Sequence, residues 1–207
     1  MAVLVTGFEP FAGLLHNPSH ALIEHLPHTL GGEELVRATL PVDTQAVVQR
    51  LETLYAAHQP KAVLHLGLAQ GRSLLSLEQV ALNLLDFDIP DNAGHRRQDQ
   101  PVLEGGPLAL LTRLPYRDIL EVWKAAGIPA QLSNSAGTYL CNQVMYLALS
   151  KLPQDVPTGF IHLPPDETLA LSRPQPYVPL EVQARAITLA LETTLTFALP
   201  NQPRLDR

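Results

Sequence analysis

The feature that most constrains this chain is a series of strand-length apolar runs, each stopped by glycine or proline and separated by helical patterns. Ala2 to Thr6 ends at Gly7, Leu35 to Leu40 at Pro41, Lys61 to Leu66 at Gly67, and Thr158 to Leu163 at Pro164-Pro165. Between the first two runs, Asn17-Pro18-Ser19 opens a short helix that Pro27 stops near Leu26. Between the second and third, Asp43 can cap a helix whose Val47, Leu51, Leu54 and Tyr55 form one apolar face. Strand, helix, strand, helix, strand in this order predicts an α/β fold with a twisted, largely parallel sheet and helices on both faces. The 207 residues are enough for one well-packed core, so the expectation is a single three-layer α/β/α domain spanning 1–207.

The stretch from Ile128 to Leu149 adds chemistry to that frame. Pro129 to Leu132 is strand-like, Ser133-Asn134-Ser135-Ala136-Gly137 is turn chemistry, and Val144 to Leu149 is a helix apolar nearly all round. Cys141 therefore falls near a helix N-terminus. Unpaired backbone N–H groups and the helix dipole favour a thiolate there, and the same N–H groups can receive an oxyanion. The competing interpretation is a small core hydrophobe. It is the chain's single cysteine, which excludes an internal disulfide framework and a cysteine zinc cluster and suits a reducing compartment.

Two further residues fit with Cys141. Glu78 interrupts an apolar stretch that reads in part as a strand, and a carboxylate there needs a partner or a function unless it faces water on an edge strand. His162 lies at a strand's carboxyl end, where open α/β sheets place their sites. In a Cys-His-Glu arrangement, Cys141 attacks a carbonyl, His162 moves its proton, and Glu78 fixes the imidazole tautomer. His65, inside a strand, is expected to be a core histidine. His16, His20, His25 and His28 read as a solvated face rather than metal ligands, because Pro18 and Pro27 break the helical spacing and no carboxylate pair joins them.

The remaining segments fill in the frame. The loop after the first strand carries Phe8 and Phe11, with at least one ring displayed or both anchored to the core. Ile89 to Gly94 is a turn, the polar segment to Gly106 a surface excursion, and Tyr116 to Ala126 a helix closed by Gly127. Asp166 to Pro179 reads as a proline-rich loop. A last helix puts Leu180, Ala184, Ile187, Leu191 and Leu195 on one face, and Asn201 to Arg207 reads as a frayed, flexible tail. A net charge of −6, without a basic cluster beyond Arg96-Arg97, argues against nucleic acid or an anionic membrane as partner. The first residues lack a basic leader and their apolar run is only strand-length, so the expected location is the cytoplasm.

Several blocks resemble the pyroglutamyl peptidase I (pyrrolidone-carboxylate peptidase) family of cysteine peptidases: VTGFEPFAG with Asn17-Pro18-Ser19, LSLEQVALN, IPDNAG, SNSAGTYLCN and GFIHLP. The resemblance runs over nearly the whole chain. It implies Cys141, His162 and Glu78 as the catalytic residues, and cleavage after an N-terminal pyroglutamyl residue of peptides with no metal or organic cofactor. It implies a pocket walled by Phe8, Phe11, Ile89, Tyr139 and Leu140, with Asn17 supporting the loop, and a homo-oligomer, tetramer or dimer. Three positions depart from the family pattern: Gln79 replaces the usual Arg or Lys, Asp88 stands where many members carry arginine, and Gln70 replaces a small residue or proline. A non-catalytic lactam-binding protein, or a thiol amidase acting on another substrate, remain the alternatives.

Overall fold

The computed structural model describes residues 2–197, so the tail expected at 201–207 lies outside the described residues. In chain order the elements are β1 (Ala2–Phe8), α1 (Pro18–His25), β2 (Thr29–Leu30), β3 (Glu33–Leu40), α2 (Ala46–His58), β4 (Ala62–Leu68), β5 (Leu75–Glu78), β6 (Val80–Leu82) and β7 (Ala109–Leu111). They continue with α3 (Tyr116–Ala125), β8 (Ala130–Ser133), α4 (Leu140–Lys151), β9 (Thr158–Leu163), α5 (Glu167–Ser172) and α6 (Leu180–Phe197). Seven strands form one sheet in the order β2-β3-β1-β4-β9-β5-β8, and β6 pairs with β7 in a separate ribbon. Within the main sheet only β2–β3 and β5–β9 are antiparallel.

Helices cover both faces, as the alternation predicts. On one side Leu22 and Ile23 of α1, Ile119 and Trp123 of α3, and Ile187 and Leu191 of α6 pack on Val3, Val5, Leu64, Leu66, Leu77 and Ile161. On the other side Val47, Leu51 and Leu54 of α2 and Val144 to Leu149 of α4 pack on Leu4, Val63 and Phe160. β1 and β4 are buried at every position, as strands covered on both faces must be. No helix among the described residues is long and apolar enough to cross a membrane.

Three sequence expectations are corrected. β1 and β4 run through Gly7 and Gly67 instead of ending there, because the missing side chains admit close neighbours: a Cβ on Gly7 would lie 2.1 Å from the Ser19 carbonyl oxygen. The segment from Asp166 to Pro179 is not all loop. Asp166 accepts a hydrogen bond from the Leu169 N–H and caps the short helix α5 between Pro164-Pro165 and the prolines from Pro174 on. The loosely alternating segment around Glu78 splits at Gln79 into β5 and β6, and β5 lies between β9 and β8, not at an edge.

Candidate active site

Strand register assembles the site. In β9, Phe160 and His162 share a face, and their antiparallel partners in β5 are Glu78 and Ser76. That face carries Phe160 into the layer under α2 and α4. His162 is also the parallel partner of Gly67 in β4, and a Cβ on Gly67 would lie 2.8 Å from Cys141 Sγ. The cysteine sulfur thus rests over a bare glycine beside the His162 strand. Phe160 packs against the His162 ring at a centroid distance of 4.8 Å.

His162 and Glu78 meet directly. His162 Nδ1 lies 2.7 Å from Glu78 Oε1, and both side chains are almost fully buried. A carboxylate accepts only, so Nδ1 carries the proton and donates, leaving Nε2 as the basic nitrogen. Arg72 Nη1 donates to the same Oε1 at 2.7 Å, while Oε2 is buried without a hydrogen-bond partner. Burial works against the Glu78 charge, but His162, with Arg72 beside it, outweighs that and holds the carboxyl below its ordinary value.

Cys141 is the second residue of α4, whose N-cap Tyr139 supplies no side-chain acceptor to the first turn. Asn142 anchors this turn, its Oδ1 accepting from the Leu82 N–H and its Nδ2 donating to the Leu82 and Leu84 carbonyls. Burial works against the thiolate that the helix terminus favours. Desolvation pushes the thiol up to about 12, the Glu78 charge adds to the rise, and Arg72 and the helix backbone oppose it only in part. Here loss of water outweighs the helix terminus.

A small pocket, partly open to solvent, is lined by Phe8, Phe11, Asn17, Val42, Leu68, Tyr139, Leu140 and Cys141. Five of the six expected pocket residues line it. Phe8 is buried and Phe11 half-buried, with Phe11 and Phe87 both packed against the Tyr139 ring. Asn17 supports the loop, accepting from the Ser19 N–H and hydroxyl and donating to the Glu9 carbonyl. Ile89 is the exception: it is 41% exposed on the outer turn and does not line the cavity, although Tyr139 donates its hydroxyl to the adjacent Pro90 carbonyl.

Other residues around the site carry little local signal in the sequence. Val42 and Leu68 sit just beyond or at the carboxyl ends of β3 and β4, a position that was itself the available signal. Glu9 Oε1 accepts from the Val42 N–H and from Asn92 Nδ2, tying three loops together. The His16 ring pairs with Asp166 at 2.5 Å, joining the loop after β1 to the segment after β9. The four N-terminal histidines do not converge: His20 meets Thr39, His25 the Ala21 carbonyl, and His28 Arg37. His65 is a core residue held between Thr6 and Tyr55, and burial lowers its pKa to about 3.

Asp43, Asp91 and His95 bring ligand-type atoms within 4.8 Å of one another. Three of their four carboxylate oxygens are committed to the loops. Asp43 Oδ1 accepts from the Gln45 and Ala46 N–H groups, Asp91 Oδ1 from those of Ala93 and His95, and Asp91 Oδ2 from Thr44 N–H and the His95 ring. The group acts as a clasp on the pocket's outer loops.

Comparison with known proteins bears on this geometry. The family model for pyroglutamyl peptidase matches residues 1–196. Pyrrolidone-carboxylate peptidases from Thermococcus onnurineus and Deinococcus radiodurans are 39% identical over 198 residues, covering 94% of this chain and 99% of that protein, and 43% identical over 202 residues, covering 92% of each. The crystal structure of pyrrolidone carboxyl peptidase from Thermus thermophilus superposes with a TM-score of 0.91 at 59% identity, covering 92% of this chain and 99% of the other. Bacillus amyloliquefaciens pyroglutamyl peptidase I gives a TM-score of 0.89 at 32% identity, covering 95% and 98%. A family match over nearly the whole length, with the fold shared throughout, means that this chain belongs to the pyroglutamyl peptidase family.

Proposed function

We propose that the protein is a cysteine exopeptidase that hydrolyses the amide bond after an N-terminal pyroglutamyl residue of peptides. The observation that carries this reading is the apolar pocket that Cys141 helps to line, beside the buried Glu78–His162 pair. Pyroglutamate is a compact neutral lactam and suits apolar walls with few polar contacts. An ordinary N-terminal residue brings an ammonium group that would lose its hydration among Phe8, Phe11, Leu68 and Leu140 without a partner, so it is rejected by desolvation.

The chemistry starts from a neutral thiol. As Sγ attacks the pyroglutamyl carbonyl carbon, His162 Nε2 takes its proton, and Glu78 stabilises the imidazolium through Nδ1. Negative charge moves to the carbonyl oxygen, which backbone N–H groups of the first turn of α4, unpaired within a helix, receive. Collapse breaks the C–N bond, and the imidazolium returns its proton to the leaving amine. A thioester remains on Cys141. Water gives a proton to His162 and attacks that thioester, and the second collapse releases pyroglutamate and restores the thiol.

No metal or organic cofactor enters these steps, and none is proposed. We further propose a homo-oligomer, dimer or tetramer, acting on free peptides in the cytoplasm, with no nucleic acid or membrane as partner. The family resemblance supports the oligomer, and the acidic balance and lone cysteine support the rest. The test is amine release from a fluorogenic pyroglutamyl amide beside the prolyl and glutaminyl amides, with and without thiol alkylation. Turnover of the pyroglutamyl compound alone, abolished by alkylation, is expected. Lactam binding without turnover would instead mark a binding protein, and turnover of a different amide a thiol amidase.

A further inference from the structure

Arg72 is not accounted for by the mechanism above. It follows Gly71, whose φ of +82° is a left-handed conformation that glycine adopts freely, and its own N–H donates to the Ala69 carbonyl. Ala69 in turn donates to the Leu163 carbonyl, so the loop carrying Arg72 is fastened to the end of the strand that carries His162. The Arg72 side chain is 31% exposed, yet it reaches a Glu78 side chain with no exposure at all.

The convergence is on one atom. Glu78 Oε1 accepts from both His162 Nδ1 and Arg72 Nη1, each at 2.7 Å, while Oε2 has no hydrogen-bond partner. Glu78 on β5 is faced by His162 from β9, Ser133 from β8, Cys141 from α4 and Arg72 from the β4–β5 loop. Arg72 is the permanent cation in this group, since arginine does not lose its proton in proteins.

We propose that Arg72 is a positioning residue for the reaction, sharing the Glu78 oxygen that receives the His162 proton so that the Glu78–His162 couple does not bind a second proton at neutral pH. The inference rests on the peptidase reading above. A buried carboxylate must be compensated. With Arg72 present, the guanidinium compensates the Glu78 charge. With Arg72 removed, the nearest source of positive charge is protonation of His162 itself. Imidazolium cannot take the proton of Sγ, so the couple would be stabilised in a form that cannot act as base. The same loss removes the cation that opposes Glu78 at Cys141. Arg72 thereby sets the lower pH limit of the enzyme.

The test compares wild type, Arg72→Lys and Arg72→Gln in two pH series: kcat/KM on a pyroglutamyl amide, and the rate of Cys141 alkylation by iodoacetamide without substrate. For Arg72→Gln the acid limb of kcat/KM is expected to move up by roughly one pH unit or more, with activity recovering at higher pH. Its alkylation profile moves in the same direction, and Arg72→Lys, which keeps the charge, stays close to wild type in both. Acid limbs that superimpose with a lower rate at every pH would overturn the proposal, as would Arg72→Lys shifting as far as Arg72→Gln. If wild type turns over no pyroglutamyl amide, the functional reading fails, and the alkylation series still decides the role of Arg72.

Discussion

At the residue scale, the state of the site is decided by competition between burial and charge. Cys141 and Glu78 both lose water, but Glu78 recovers charge-assisted hydrogen bonds and stays ionised, whereas the Cys141 sulfur gains no compensating partner of equal strength. A thiol raised above its free value is neutral at pH 7, and each pH unit below that raised value costs tenfold in thiolate. Alkylation by iodoacetamide without substrate is therefore expected to accelerate with pH from 6 to 10 with no plateau near neutrality, approximate limits set by an ordinary thiol value of about 8.5. A rate already level from pH 6 would indicate a resting thiolate–imidazolium pair instead. The sequence singled out Cys141, Glu78 and His162, which the fold brings together, since a cysteine after a turn, a strand-end histidine and a lone carboxylate in an apolar run each carry a local signal. It hid Arg72, because its partner Glu78 is defined only by the path of the loop back over β9.

At the element scale, the fold brings α4 so close to the sheet that one strand position must be bare. Replacing Gly67 by alanine would put a methyl group 2.8 Å from Cys141 Sγ and 2.8 Å from the Phe160 ring. Both neighbours would have to move, and Phe160 supports His162. Gly67→Ala is expected to keep native circular dichroism while kcat falls by about a hundredfold or more, as misplacement of reacting groups does. Activity within about twofold of wild type would show that the sulfur has room to shift. The long strands and helices were legible because their apolar periodicity is sustained. The short elements were not: α5 has six residues among prolines, and β7 has three with exposed Ala109 and Leu111, too few to establish a period. Even so, Asp166 before Glu167 was a usable capping signal.

At the scale of the whole molecule, one end of the sheet holds the candidate site and loops from several segments surround it. Asp91 is central to that arrangement, accepting from the Thr44, Ala93 and His95 N–H groups and from the His95 ring. Burial raises its pKa, but those donors prevail and hold it below its ordinary value. A lowered folded pKa contributes stability above the unfolded value of about 4 and loses it as pH falls through the folded one. Asp91→Asn should accordingly cost about 1–3 kcal/mol at neutral pH, with the gap in melting temperature from wild type narrowing below about pH 4. A gap independent of pH would show that the charge of Asp91 is not what holds the loops. The central claim, that Cys141 carries the pyroglutamyl group through a thioester, is tested most directly by acid-quenching the enzyme during turnover of a pyroglutamyl ester and mapping its peptides by mass spectrometry. The account predicts one pyroglutamyl group on the peptide containing Cys141 and none in Cys141→Ala. Steady turnover with that cysteine never acylated, or turnover persisting in Cys141→Ala, would contradict it.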